Sequence, residues 1–480
     1  LPSIGTLDRT AGQLGRQLAQ LLRDAIRRGD LQAGEMLPST RILAASLQVA
    51  RGTVIEAFDQ LIAEGFLTAS PRAGTSVAHS LTPPADVQAR PSPVEPASLP
   101  ERAHLLAQVA RQFSAVPAAP FAVSVPVGRA LPDDIWRRLG NRVRARGPGA
   151  PAGYGDPQGA RALREAIADY VRRSRSVRCE AGQVIITSGT QQGLYLSCQV
   201  LLDADDSAWV EDPAYRGITA ILESTGRPGR MIRVPVDAEG LDVDAGIELG
   251  APARAAFVTS SHQYPLGMPM SMARRNALLT WASTHNAWIV EDDYDSEYRF
   301  EGNPLAAMKS LDDDGHVIYC GTFSKLLFPA LRTAYAIVPD RLVDPFVAAL
   351  SLTARHVPLD QQSVLHEFIA EGHFGRHIRR MRMLYGERAE ALKMAADRHL
   401  CGLLHVPRII AGLDAPAFFQ PGTDDADMAR RAARAGLETR PLSLYAIDRP
   451  APPGLVLGFA SVDRQAIESG MVALARALER

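Results

Sequence analysis

Only three lysines, Lys309, Lys325 and Lys393, occur among the 52 basic residues of this 480-residue chain. Lys325 sits in GTFSK, after the hydroxyl residues Thr322 and Ser324 and seven residues before Arg332. An arginine keeps its proton in a protein, whereas a buried lysine can lose one and attack a carbonyl carbon. A solvated surface lysine is the other reading of this stretch, and the remaining residues decide between them. The stretch VIITSGTQQGL runs from an apolar segment through Gly189 into Thr190 and Gln191. Amides at such a helix start, aided by Thr190, favour a phosphate. It lacks the spacing of a P-loop and the three glycines of a dinucleotide fingerprint. In AWIVEDDYDSEYRF, Asp292 ends an apolar run two residues before Tyr294. An acidic stretch of this kind is open to a ring partner, a metal or a solvated loop, although the calcium-loop spacing is missing. In EDPAYRG, Tyr215 follows another strand end and can stack on a flat ring or fill the core.

Taken together, the phosphate loop, the carboxylate, the aromatic ring and the lysine flanked by hydroxyls fit one ligand, pyridoxal 5′-phosphate. Its aldehyde forms a Schiff base with a lysine, and a carboxylate keeps its ring nitrogen protonated. Arg332 adds a charge-assisted pair to the phosphate.

These residues need strand ends to present them. Apolar runs at QVIITSG, SAWVEDPAY, RAAFVTSSH, AWIVEDDY, HVIYCGTFSK and TAYAIVPD alternate with amphipathic segments. That alternation predicts an α/β domain with a mainly parallel sheet, whose ligands gather at the strand ends. Ahead of it, Leu14, Leu18, Leu21, Leu22, Ala25 and Ile26 share one helical face that Gly29 ends. Ser39 can cap a second helix carrying Ile42, Leu43 and Leu47, and a third begins at Arg51 and Thr53, burying Val54, Ala57, Phe58, Leu61 and Ile62. FLTASPRAGTSVA reads as two short strands about a turn tipped by Arg72. Three small helices and a basic hairpin predict a winged helix-turn-helix, with an interaction domain as the alternative. Between the two parts, about His79 to Pro120 is rich in Pro and Ala, a semi-extended spacer in which only AHLLAQVARQ can make a short helix.

Length alone predicts about three domains. A formal charge of −1 excludes binding of polyanions through bulk charge, so nucleic-acid binding has to rest on a motif. Cys179, Cys198, Cys320 and Cys401 share no metal-ligand spacing, which points away from zinc or a disulfide framework and toward a reducing cytoplasm. No apolar run reaches the length of a membrane span, and no signal peptide is expected at the N-terminus.

The segment GDLQAGEMLPSTRILAASLQVARGTVIEAFDQLIAEGFLTASPRAGTSV resembles the DNA-binding domain of the GntR superfamily. The resemblance implies operator double-stranded DNA as partner, contacted by Ser39, Arg41, Arg51 and Thr53, with Arg72 and Gly74 in the wing. Arg51 is the candidate for reading a guanine through O6 and N7. Ile55 stands where some relatives carry another DNA-contacting arginine. The remainder resembles a fold-type I aminotransferase, a large mainly parallel sheet with a smaller C-terminal α+β domain, through GYGDPQGARALREAIADYV, TSGTQQGL, EDPAY, SHQYPLGMPMS, EDDYDSEYRF and GTFSK in order. The fusion resembles the MocR/GabR family of transcriptional regulators. Domains are then expected at 1–79 for the DNA reader, 80–120 for the linker and 121–480 for the cofactor-binding part, split into a large domain of about 150–345 and a small one of about 346–480.

By this resemblance Lys325 bonds the cofactor, Asp292 meets its ring nitrogen, Tyr294 its ring hydroxyl, and Tyr215 lies over the ring. Gly189, Thr190, Gln191, Thr322, Ser324 and Arg332 surround the phosphate. Tyr154 reaches the phosphate of a neighbouring subunit, which implies a homodimer. Departures from the enzyme pattern are Tyr264 in place of an asparagine, Asp414 in place of a frequent histidine, and a C-terminal strand, GLVLGFASV, without the arginine that holds a substrate carboxylate. Arg440 and Arg449 are the candidate substitutes. The expected function is a regulator switched by an amine or amino-acid effector, or by pyridoxal 5′-phosphate itself. The alternatives are a working aminotransferase carrying a DNA-binding module and a DNA-binding dimer that has lost the cofactor.

Overall fold

In a computed structural model of the chain, the described residues are 5–70, 74–79, 98–110, 119–127, 132–147, 153–224, 231–250 and 252–479. They form two units, Leu1–Ser98 and Leu99–Arg480.

In the first unit, helices α1 (Leu14–Arg28), α2 (Thr40–Leu47) and α3 (Arg51–Ala63) precede the hairpin β1 (Leu67–Ser70) and β2 (Gly74–Val77). Leu18, Leu22 and Ala25 of α1 meet Val54, Phe58 and Leu61 of α3 in one core, as the helical spacing requires. Gly29 ends α1 at φ 81°, a left-handed turn in which its amide reaches the carbonyls of Ala25 and Ile26. The Ser39 hydroxyl caps α2, accepting the Ile42 amide at 3.4 Å. Among the expected apolar positions, Leu14 and Leu21 are only partly buried, and Ile42 turns away from the core at 61% exposed. With only two turns, α2 offers a narrow inner arc, and Leu43 and Ala44 fill it. The strands pair from Leu67 with Val77 to Ser70 with Gly74. Arg72, the expected wing tip, lies outside the described residues.

The second unit is built on a large sheet of β3 (Val184–Thr187), β4 (Ser207–Asp212), β5 (Met231–Asp237), β6 (Gly240–Leu241), β7 (Ala253–Val258), β8 (Trp288–Asp293), β9 (Val317–Thr322) and β10 (Ala334–Ile337). Their order is β3-β10-β9-β8-β7-β4-β5-β6. The neighbours from β9 to β5 are parallel, and β10 runs antiparallel between β9 and β3. Helices cover both faces, so β3, β8 and β9 are buried at every residue and read in the sequence as continuous apolar runs. Asp212, Asp292 and Thr322 therefore arrive at the same edge, the carboxyl ends of the parallel strands.

A small antiparallel sheet of β11 (Asp414–Phe418), β12 (Arg440–Pro441) and β13 (Gly454–Gly458), ordered β11-β13-β12, follows. The spacer contributes a helix, α4 (Glu101–Ala110), which lies against the helix Arg216–Ser224. Beyond it, Phe121 is fully buried and bridges to Gly458, whose amide donates to the Phe121 carbonyl at 3.0 Å.

The approach at Gly458 leaves no room for a side chain, since an added Cβ would stand 2.0 Å from the Ala122 carbonyl oxygen. Gly458→Ala is expected to lower unfolding stability by about 1–3 kcal/mol in urea denaturation. An unchanged midpoint would contradict this close docking.

Candidate functional site

The strand ends, the loop after β9 and the small sheet enclose a cavity of ≈ 330 Å³. Thr190, Gln191, Tyr215, Asp292, Tyr294, Thr322, Ser324, Lys325 and Arg332 all line it. These residues are spread over 143 positions of sequence, from 190 to 332, and the sheet order brings them together.

Asp292 is buried near the end of β8, with its Oδ1 lacking any hydrogen-bond partner. Burial pushes its carboxyl up to about 8, and the nearby carboxylates Asp293, Glu211 and Asp295 push the same way. The Lys325 ammonium opposes them. Lys325 is itself shielded, and burial lowers its pKa while Asp414, Asp295 and Asp292 raise it. Its Nζ donates to the Ser124 carbonyl at 2.9 Å.

Gly189, not itself among the lining residues, caps the helix Thr190–Leu201 at φ 90°. A side chain there would strike the Arg332 guanidinium at 2.5 Å, so glycine is what lets Arg332 close over the helix start. Arg332 donates from Nη2 to the Ser188 carbonyl at 2.9 Å. Ser324 donates its amide to the Thr322 hydroxyl at 3.1 Å, and its own buried Oγ has no partner. Gln191 is engaged: its Nε2 donates to the Gly217 carbonyl at 2.9 Å and its Oε1 accepts the Tyr215 hydroxyl at 3.3 Å.

The walls are phenolic. Tyr264, the residue that replaces the asparagine, meets the rings of Tyr215, Tyr294 and Tyr445 edge-on, and its hydroxyl is 2.9 Å from that of Tyr445. The Tyr294 hydroxyl donates to the His262 carbonyl at 3.0 Å, and His262 Nδ1 lies 3.0 Å from Asp295.

The acidic stretch is not a solvated loop, because Asp292, Asp293, Asp295 and Glu297 are all buried. Arg175 neutralises Asp293 at 2.7 Å, and Tyr170 bonds Glu297 at 2.5 Å. Among the described residues no group of three or more His, Cys, Asp or Glu could hold a metal ion.

Tyr154 is outside this cavity, 79% exposed, with Arg355 4.6 Å above its ring. Of the two candidate arginines, Arg440 lines the cavity with Nη2 2.7 Å from Glu438. Arg449 is not among the lining residues, and its backbone amide donates to Asp212 at 3.2 Å. Sequence reasoning missed Ser124, Arg216 and Tyr445 as lining residues. No spacing signalled them. Tyr445 is carried in by a loop that Asp212 holds through the amides of Ile447, Asp448 and Arg449.

In the helical unit, Ser39, Arg41 and Arg51 are exposed and Thr53 is half-buried. Arg51 begins α3 and donates from Nε to the Thr40 hydroxyl at 3.3 Å, which joins the starts of α2 and α3 on one face. Ile55 is 39% exposed on α3, and Gly74 opens β2 at φ 91°.

Residues 14–77 match the gntR family of bacterial regulatory proteins, and residues 128–395 match aminotransferase class I and II. The probable rhizopine catabolism regulatory protein MocR of Rhizobium meliloti is 39% identical over 98% of this chain and 94% of its own length. The chain belongs to the MocR-type regulators of the GntR family. The HTH-type pyridoxine biosynthesis transcriptional regulator PdxR of Corynebacterium glutamicum is 30% identical to this MocR-type chain, over 94% of it and 93% of the relative. The fold matches LysN, an α-aminoadipate aminotransferase from Thermus thermophilus solved with N-(5′-phosphopyridoxyl)-L-leucine. The TM-score is 0.72 at 27% identity, covering 79% of this chain and 97% of that one. This MocR-type protein is thus a helix-turn-helix transcriptional regulator with an aminotransferase-like domain, and its helix-turn-helix unit implies DNA as a partner. Among the described residues no helix is long and apolar enough to cross a membrane.

The raised pKa of Asp292 has a consequence for stability. A carboxyl that titrates near 8 when folded and at its ordinary 3.8 when unfolded holds more protons folded than unfolded between those values. Stability from the protonated form is therefore full below about pH 4 and lost as pH rises through about 8. Relative to Asp292→Asn, the cofactor-free parent is expected to lose stability across that window in denaturant titrations at several pH values. A constant difference would show that Asp292 is ionised throughout.

Proposed function

We propose that this regulator binds pyridoxal 5′-phosphate in the strand-end cavity. In this reading an amine or amino-acid effector, or the cofactor itself, changes the bonding of Lys325 and thereby repositions the DNA-binding units of a homodimer. The observation that carries this is that Asp292 and Ser324, each with an orphaned buried oxygen, and the shielded amine of Lys325 line one cavity. Buried polar atoms without partners are costly unless a ligand completes them.

When bound, the cofactor supplies an aldehyde that condenses with primary amines and a ring that withdraws electrons. Asp292, already inclined to share a proton, holds one at the ring nitrogen. Tyr294 would face the ring hydroxyl, and Tyr215, held by its contact with Gln191, would cover the ring. Gly189, Thr190, Gln191, Thr322, Ser324 and Arg332 gather amides, hydroxyls and a guanidinium for the phosphate. Tyr154, turned to solvent, is available to a partner subunit's phosphate. Burial lowers the pKa of Lys325, a shift toward the neutral amine that attack on a carbonyl carbon needs.

An effector shifts the regulator only by its different affinity for the two states, each tenfold worth about 1.4 kcal/mol. On the DNA side, Arg41, Arg51 and Thr53, with Ser39 at the cap of α2, form the face that enters the major groove, and Gly74 belongs to the wing. Regulation rather than turnover is supported by the names of the relatives and by β13, which has no arginine to clamp a substrate carboxylate.

Purified protein should be yellow, and borohydride should fix the cofactor to the peptide containing Lys325, read by mass spectrometry. Lys325→Ala should abolish fixation, and undiminished labelling elsewhere would remove Lys325 from its role. Arg51→Ala should weaken binding to DNA selected by the parent by about 1–3 kcal/mol, the value of one bidentate base contact. Equal affinities in a gel-shift titration would count against α3 as the reader. Rapid multiple turnover from an amino donor to a keto acceptor would favour the enzyme instead.

A further inference from the structure

The cavity lysine touches the polypeptide that leaves the spacer. Ser124 lies only a few residues after the spacer, and its carbonyl accepts the Lys325 Nζ proton at 2.9 Å. Ser124 holds φ 60°, and Phe121 three residues earlier holds φ 67°, both in the left-handed region that residues with a side chain adopt rarely. Such conformations persist where the surroundings impose them. Here the imposing group is Asp414 on β11. Its Oδ1 accepts the Ser124 amide at 2.6 Å and its Oδ2 the Ser124 hydroxyl at 2.7 Å. Asp414 pairs with Gly458 across the small sheet, and Gly458 grips Phe121. One buried carboxylate thus holds the segment in the posture that aims a carbonyl at the lysine.

We propose that Ser124, clamped by Asp414, reads whether the Lys325 nitrogen is free or bonded and passes that state into the segment that follows the spacer. The proposal rests on the cofactor reading above and adds its regulation. When the neutral amine condenses with an aldehyde, a carbon–nitrogen double bond forms. The aldehyde oxygen leaves as water together with the two amine hydrogens. The new nitrogen has no hydrogen to donate unless it is protonated, and then only one, fixed in the plane of the double bond, in place of the rotating hydrogens of the amine. The Ser124 carbonyl then loses its donor in a site largely shielded from water, and the strained segment loses one of the contacts that hold it. Displacement of Lys325 by another amine returns the hydrogens and restores the contact. Asp414 is in this scheme a positioning residue: it acts on Lys325 through the backbone of Ser124.

The test uses full-length protein loaded either with pyridoxal 5′-phosphate or with pyridoxamine 5′-phosphate, which carries an amine in place of the aldehyde and leaves Lys325 unbonded. Amide hydrogen exchange is followed by mass spectrometry over residues 119–127. Exchange in this peptide is expected to be at least tenfold faster with the aldehyde form. Asp414→Ala should make exchange fast with both forms and reduce the difference to less than twofold. Asp414→Asn, which still offers an oxygen to the Ser124 amide, should restore most of the difference. Equal exchange of the parent in its two loaded forms would overturn the proposal, and this comparison decides even if Asp414→Ala does not fold. A full difference persisting in Asp414→Ala would overturn the role of the clamp. Borohydride separates the layers: fixed cofactor with equal exchange removes this inference alone, whereas no fixable cofactor on Lys325 removes the cofactor reading with it.

Discussion

Desolvation of opposite charges at the ends of parallel strands is the constraint on which this structure depends. A sheet covered on both faces delivers Asp292 and Lys325 into one cavity from which much of the water is shut out. There, burial pushes the carboxyl up and the ammonium down, so each group moves toward sharing its proton. The surrounding acid would make this untenable if it all stayed charged and unpaired. Arg175 neutralises Asp293, His262 faces Asp295, and Thr259 bonds Glu211, whose own carboxyl burial raises to about 7. Asp292, a residue of the cavity lining, is left with its buried Oδ1 unpartnered.

The remaining walls come from far away in the chain and are held by carboxylates acting on backbone amides. Asp212 at the end of β4 takes three successive amides from the loop that carries Tyr445, and Asp414 takes the amide and hydroxyl of Ser124. A charged acceptor bonded to several amides is stronger than neutral pairs, and it fixes loops that have little apolar surface of their own. The phenolic contact between Tyr264 and Tyr445 then closes the cavity across the gap between the large and small sheets. Tyr264 is more than a replaced asparagine, because its ring is the meeting point of three other tyrosines.

In the helical unit the hydrophobic positions were legible because a 3.6-residue period alone decides which side of a helix meets its neighbours. Leu18, Leu22, Val54, Phe58 and Leu61 meet in the core, while Ile42 shows the limit of the method on a helix of eight residues. Strands β5, β6, β11 and β12 were not singled out. β5 buries only Met231 and Val234 and is interrupted by Arg233 and Pro235, and β12 has only two residues, so neither makes an apolar run.

The sequence by itself determined the order of the two units, the strands that are buried on both faces, and the candidate lysine, carboxylate and glycine, because each of these is written in local spacing or in the chemistry of one side chain. Tertiary structure alone decided that Asp292 Oδ1 and Ser324 Oγ lack partners, that the acidic stretch is buried, and that Ser124 and Tyr445 meet residues between 181 and 290 positions distant. Burial and hydrogen-bond satisfaction are properties of what the chain folds against. No window of neighbouring residues contains them.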